Sequence, residues 1–338
     1  MERLFSIIIP CYNAEGFIDR VMGSVMGQTL DPSLYEVIAV NDASTDKTLE
    51  LLYHWADRYP DTIRVITYDN NLRKGGARNA AIRQASGEYV CFLDADDWME
   101  KDALASFMTG VRDKRDIITA KFVESYEFSM HHDPYDEEAP VQKTFLPKDR
   151  NDLIRFELGY VWSSVYRKNM IKDNDVWFPE HLAYEDIYWQ RLIKFYAQSA
   201  CIIDRVTHHH YNHPESTMNK KNASHHIDRL TCYEMLLEEY EKRGLLGSFY
   251  PHILKDAIET YYFNSYYMFF RIMEDIPDVY LRIRSTIYRY FPEWEKDYDD
   301  RTIPMVFQYM LKLLRKATNV SPNDLIPFKD AMHDMAEE

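Results

Sequence analysis

The 338-residue chain predicts an α/β fold: a mostly parallel, Rossmann-like sheet flanked by helices, followed by a C-terminal α-helical region. Three observations carry that expectation. The first third of the chain alternates short β-branched runs with segments of helical period, the pattern of right-handed βαβ units. The fourth run, Tyr89 to Leu93, is continuously apolar, as a strand covered on both faces must be, and it leads straight into Asp94-Ala95-Asp96-Asp97. From about His225 onward, strand signals give way to helical spacing dense in aromatics.

Taken in order, Ser6-Ile7-Ile8-Ile9 is the first strand, closed by Pro10, with Tyr12-Asn13 in the loop beyond it. A helix follows from about Ala14, with Phe17, Val21, Met22, Val25 and Met26 on one face. Val37 to Val40 is the second strand, and the polar turn Asn41 to Asp46 leads into a helix that faces Leu49, Leu52 and Tyr53 inward. Ile63 to Thr67 is the third strand. The basic loop Asn70 to Gly76 then opens a helix through Ala77-Arg78-Asn79-Ala80-Ala81-Ile82, and the apolar fourth strand follows.

Each of these strands ends in polar side chains: Asn13, then Asn41 and Asp42, then Asp69 and Asn70, then Asp94 and Asp96. Parallel strands place those ends on one edge of the sheet, where α/β folds bind ligands. Carboxylates at a buried strand end are costly unless a cation neutralises them. One reading of Asp94-Ala95-Asp96-Asp97 is a divalent metal held against a phosphorylated ligand. The other is a solvated acidic turn, with Asp97 as N-cap of a segment from Met99.

Composition narrows the partners. With 46% hydrophobic and 28% charged residues, the chain is an ordinary soluble globular protein, long enough for one large domain or two. A net charge of −15 argues against nucleic acid. Cys11, Cys91, Cys201 and Cys232 are scattered and form no Cys-x-x-Cys pair, which favours reduced core thiols and a cytoplasmic setting. The start lacks the apolar region and cleavage site of a signal peptide, and no apolar run is long enough to span a bilayer. A dinucleotide-binding dehydrogenase is excluded by residues, because Pro-Cys-Tyr-Asn stands where Gly-x-Gly-x-x-Gly would be needed.

Four motifs in order over the first 97 residues, Ile-Ile-Ile-Pro-Cys-Tyr-Asn, Val-Asn-Asp-Ala-Ser-Thr-Asp, Gly-Gly-Ala-Arg-Asn-Ala-Ala-Ile and Phe-Leu-Asp-Ala-Asp-Asp, resemble the family 2 inverting glycosyltransferases of GT-A fold. The resemblance implies a nucleotide-sugar donor, usually UDP-linked, a Mn²⁺ or Mg²⁺ ion, and a saccharide or lipid-linked acceptor. By motif position, Asp42 faces the base of the nucleotide, with Pro10, Tyr12 and Glu15 lining that pocket. Arg78 lies beside the base or diphosphate, Asp94 near the ribose and Asp96 on the metal, while Asp97 is either near the sugar or only a cap. The chain departs from the pattern at one point: Asn41-Asp42-Ala43-Ser44 stands where many relatives carry Asp-Asp-Gly-Ser.

Residues 101–150 hold a helix (Ala103, Leu104, Phe107, Met108), a strand from Asp116 to about Phe128, and a polar loop from Met130 to Gln142. That loop is a solvated acidic face or a cover for the acceptor. Val161 to Arg167, with Trp162, resembles the family's Trp-containing segment ahead of the catalytic base. Glu185-Asp186 opens a helix, where dipole complementarity alone explains acidic residues. The family's Glu-Asp pair matches the same position, and it implies Asp186 as general base, with Glu185 beside it. On a strand, His208 and His210 point one way and His209 and Tyr211 the other. The stretch ending in Ser216 resembles the segment that closes over the donor diphosphate, so His210 or His213 is a candidate metal ligand and Ser216 a candidate phosphate contact, each against a plain surface or core-edge role.

Residues 1–220 are therefore expected to form the GT-A domain, with a nucleotide half over 1–100 and an acceptor half over 101–220. Residues 221–338 form the helical region. Its basic amphipathic stretch 301–320 (Arg301, Lys312, Arg315, Lys316) either packs on its own domain or touches an anionic membrane, so the expected location is cytoplasmic with a membrane-peripheral variant. An oligomer is left open. The alternatives to an enzyme that transfers sugar are a non-catalytic sugar-nucleotide-binding or scaffold protein on the same fold, and a nucleotidyltransferase. The latter needs a Gly-rich basic loop after the first strand, which Pro10 to Gly16 does not offer.

Overall fold

In a computed structural model of the chain, residues 3–126, 143–155, 159–213, 220–221, 224–265, 268–269, 279–299, 303 and 305–315 are described. The Met130–Gln142 loop, Ser216, Arg301 and Lys316 lie outside them. The chain divides into two units, Met1–Pro214 and Glu215–Glu338.

The first unit is built on β1 (Phe5–Cys11), β2 (Tyr35–Asp42), β3 (Ile63–Tyr68) and β4 (Tyr89–Phe92), all parallel, in the order β3-β2-β1-β4. Every residue of β1, β2 and β4 is buried, as the continuous apolar runs require. β3 lies at the sheet edge and is mostly half-buried or exposed. Helices α1 (Ile18–Met26), α2 (Thr48–Arg58) and α3 (Arg73–Gln84) make the crossovers. Ile18, Val21, Met22 and Val25 form the buried face of α1. In α3, eight consecutive residues from Gly75 to Ile82 are buried. Such close packing needs small residues: a Cβ on Gly75 would lie 2.0 Å from the Pro179 carbonyl oxygen.

The remaining elements turn the sheet from parallel to mixed. They are β5 (Trp98–Met99), α4 (Ala103–Val111), β6 (Ile117–Ser125), β7 (Lys143–Phe145), α5 (Arg150–Arg155), β8 (Ser164–Arg167), α6 (Lys168–Asp173), α7 (Glu185–Ile193) and β9 (Ala200–Tyr211). β8 is inserted antiparallel between β4 and β6, β9 runs parallel to β6, and β5 and β7 pair antiparallel with β9. The segment after Asp97 is not a helix, so the N-cap reading of that residue is corrected. Trp98 and Met99 pair with His209 and His208, and the next helix starts only at Ala103. The Trp98 indole is buried, stacked on the His209 ring at 4.8 Å and 8°, a burial that a solvated cap would forgo. Trp189 anchors α7, stacked on Phe178 at 4.5 Å with Phe92 and Tyr166 edge-on, and its Nε1 donates to the Val176 carbonyl at 3.0 Å.

The second unit is helical: Asp228–Lys242, Leu245–Ser248, Tyr250–Asp256 running into a π-helical segment Ala257–Asn264, then Val279–Tyr290, Trp294–Asp297 and Met305–Arg315. Its aromatics are core, with Tyr233 stacked on Tyr261 at 5.0 Å. In the basic helix Met310, Leu311 and Leu314 are buried, and the Tyr262 hydroxyl donates to the Met310 carbonyl at 2.7 Å. Those apolar groups are used within their own unit. No helix among the described residues is long and apolar enough to cross a membrane, and all four cysteines are buried.

Candidate functional site

Where β1, β2 and β4 end, their loops are tied to one another by side chains. The Asn13 N–H donates to Ser44 Oγ at 3.1 Å, and Asn13 Oδ1 accepts from the Thr45 N–H at 2.8 Å. Glu15 Oε2 accepts from the Lys47 N–H at 2.9 Å, so that carboxylate is engaged in the loop. Five non-glycine residues in the connections after β1, β2 and β3 and in the facing 178–185 segment have left-handed φ: Asn13 (48°), Ala43 (61°), Arg73 (58°), His181 (61°) and Tyr184 (61°). Such strain concentrates where surrounding structure over-determines the backbone. Ala43 is the position at which the sequence departs from a glycine.

Asp42 sits buried at the end of β2, its Oδ1 accepting from the Leu72 N–H at 2.7 Å. Burial pushes its pKa up, against the Leu72 and Arg73 amides. Pro10 is buried in β1 and Tyr12 projects beside it, 54% exposed.

The centre of the site is Arg78. Buried on α3, it donates from Nη2 to Asp94 Oδ1 at 2.9 Å and from Nη1 to Glu185 Oε1 at 2.6 Å. Its guanidinium lies 5.3 Å from the Phe178 ring and 5.6 Å from that of Phe92. Asp94 also takes Lys74 Nζ at 2.7 Å on its other oxygen. Burial works against the Asp94 carboxylate, but Lys74 and Arg78 outweigh it and hold the group well below the usual carboxylate range. Burial raises the pKa of Glu185, with Arg78 opposing and Asp186 reinforcing. Asp186 lies in the first turn of α7, its Oδ1 accepting from the Ile187 N–H at 3.0 Å.

Among the described residues, Asp94, Asp96 and Asp97 offer ligand atoms that all lie within 4.8 Å of one another. They are not equivalent. Both oxygens of Asp94 are taken by cations. Asp97 is fully buried, accepts from the Tyr211 N–H at 2.8 Å and faces His210 Nδ1. Burial and the other two carboxylates push its pKa up to about 6, against the His210 hydrogen bond. Asp96 is part-exposed, with His213 Nε2 at 3.2 Å from its Oδ2. His210 stacks on Trp162 at 5.1 Å and 16°. His208 points the same way, fully buried, with no hydrogen-bond partner for Nε2, and burial pushes its pKa down to about 3.

The family resemblance implies Arg78 beside the base or diphosphate; in the structure it joins Asp94 to Glu185. Two further cations at the site are not marked by the motifs. Lys74 precedes Gly75-Gly76 in the basic loop, the one local signal that could have marked it. Arg20 lies 4.2 Å from Trp98 and 4.7 Å from Tyr211 and donates to the Asp96 carbonyl; nothing on α1 announces it.

Residues 6–175 match the family described as Glycosyl transferase family 2. The chain is 28% identical over 258 residues to poly(ribitol-phosphate) β-N-acetylglucosaminyltransferase TarS of Staphylococcus aureus, covering 72% of this chain and 43% of that protein. It is 27% identical over 256 residues to the putative glycosyltransferase EpsH of Bacillus subtilis, covering 70% and 72%. Among solved structures, S. aureus TarS 1-349 in complex with UDP-GlcNAc superposes with a TM-score of 0.69 at 20% identity, over 99% of this chain and 92% of that one. The mannosyltransferase PcManGT of Pyrobaculum calidifontis, in complex with GDP-Man and Mn²⁺, gives 0.51 at 16%, over 100% and 87%. These likenesses are of fold.

Proposed function

Because the chain belongs to glycosyl transferase family 2 and has a GT-A-like fold with C-terminal helices, we propose that it is an inverting glycosyltransferase. It moves a sugar from a UDP-linked donor to a hydroxyl of a saccharide or lipid-linked acceptor. The observation that carries this reading is the Arg78 bridge, which ties Asp94 at the end of β4 to Glu185 at the start of α7, 107 positions away from Arg78. It holds Asp94 and Glu185 together, which supports a single site for the nucleotide and the acidic pair.

In this reading Asp42, with Pro10, Tyr12 and Glu15, forms the base pocket, and Asp94, kept ionised by Lys74 and Arg78, accepts from ribose hydroxyls. Asp186 removes the acceptor proton, a contribution of about 10²–10⁴-fold for a positioned base. The acceptor hydroxyl attacks opposite the departing diphosphate, so base and leaving-group site must come from different parts of the chain, as α7 and the loop after β4 do. The donor set fits a hard divalent cation at Asp96 with His213 beside it, since Asp94 and Asp97 are already engaged. Such an ion, Mn²⁺ or Mg²⁺, supplies charge neutralisation to a diphosphate leaving group. The roles of TarS and PcManGT in UDP-GlcNAc and GDP-Man binding support the nucleotide-sugar class.

The test is UDP titration and UDP release from a panel of nucleotide sugars, each with Mn²⁺ and with EDTA. Binding and turnover that need the metal are expected. UDP binding with no turnover on any donor and acceptor would favour a binding protein, and no UDP binding at all would overturn the reading.

A further inference from the structure

Tyr160 is a large aromatic left 47% exposed, yet it is packed on one face. Its ring stacks on Trp162 at 4.9 Å and 6°, Trp162 stacks in turn on His210, and Phe122 packs edge-on against both at 5.3 and 4.8 Å. The Tyr160 carbonyl accepts from the Ser163 N–H at 3.0 Å and from Ser163 Oγ at 2.9 Å. Gln190 Nε2, one turn after Asp186 on α7, donates to the Gly159 carbonyl at 2.7 Å. The segment bearing Tyr160 is therefore fastened to the helix bearing the proposed base. Glu124, on the Phe122 face of β6, is exposed, and the Tyr126 hydroxyl donates to it at 2.9 Å. Tyr126 is itself 69% exposed.

We propose that the outer face of Tyr160, with Glu124 and Tyr126, binds a pyranose ring of a saccharide acceptor. A pyranose has an apolar C–H face and a rim of hydroxyls. A tyrosine ring takes the first, and a carboxylate and phenol hydroxyls take the second. The ring is preorganised by its stack, so little ordering entropy is lost on binding. An anionic headgroup is disfavoured by Glu124 and by the net charge of −15. This proposal rests on the glycosyltransferase reading, because it is the tie to α7 that makes the bound sugar an acceptor.

The test is saturation-transfer NMR of the full chain with maltotriose, cellotriose and chitotriose, alongside a UDP titration. Transfer to at least one trisaccharide is expected with the parent and with Tyr160→Phe. It should fall about fivefold in Tyr160→Ala, the scale of one ring-stacking contact. Tyr160→Leu, which keeps apolar bulk without a ring, replaces the alanine variant if that one fails to melt cooperatively. No transfer with the parent, or equal transfer with the ring removed, overturns the platform. UDP binding without saccharide transfer removes the platform alone, whereas failure of UDP to bind removes the donor reading instead.

Discussion

At the scale of single residues, the two carboxylates that open α7 have different surroundings. Glu185 is buried in an ion pair with Arg78, whereas Asp186 is half-buried and accepts from the Ile187 N–H. Replacing Asp186 with Asn keeps volume and helix start but removes the proton acceptor. UDP affinity should stay within calorimetric error while turnover drops about 10²–10⁴-fold; a fully active variant would end the assignment of the base. Ala43 poses a different residue-level question. With φ at 61° it holds a conformation that costs an L-residue about 1–2 kcal/mol relative to the right-handed region. Ala43→Gly should raise stability by about 0.5–1 kcal/mol after the entropy that glycine loses on folding. A urea midpoint that falls instead would show that the Ala43 methyl contributes packing.

Between elements, Glu36 on β2 is the clearest joint. It is buried, and it accepts from Ser6 Oγ on β1 at 2.6 Å, from the Ser86 N–H and Oγ ahead of β4 at 2.6 and 2.8 Å, and from Arg3 at 2.9 Å. Burial opposes ionisation, but the two serines and Arg3 overcome it and bring the pKa below its ordinary 4.5. A depressed carboxylate contributes stability above its unfolded pKa and loses it as pH falls through the folded one. Glu36→Gln should therefore melt below the parent at pH 7, with the gap closing below about pH 4. A gap that is constant with pH would mean that packing, not ionisation, matters there. The elements themselves were readable where period is local: β1 to β4 and the crossover helices follow from apolar runs and helical spacing, although Tyr53, expected to face inward from α2, is exposed. β5 was not, because two residues carry no period, and its pairing with β9 is decided by residues about 110 positions away.

For the whole molecule, the donor-side candidates from Pro10 to His213 lie in the first unit, Met1–Pro214, while Ser216 falls outside the described residues. We propose 1–220 as the catalytic domain and 221–338 as a separate helical region. The 1–220 fragment should melt cooperatively and bind UDP as the full chain does; a folded fragment that cannot bind UDP would overturn 1–220 as the catalytic domain. What the sequence determined by itself was the alternation of strands and helices and the chemistry offered at the strand ends, because a strand's period and the motif beyond it are local. Asp42, Asp94 and Asp96 were visible in that way, whereas helix-dipole complementarity alone would explain Glu185-Asp186, and only the family resemblance singled that pair out. Tertiary structure alone decided which carboxylate meets which cation. Arg78 reaches Glu185, Lys74 shields Asp94 and His213 faces Asp96 only because β4, β9, α3 and α7 converge, and the stack from Tyr160 through Trp162 to His210 arises the same way. Electrostatic pairing acts over a few ångströms of space, and no local pattern records distances between residues that far apart in the chain.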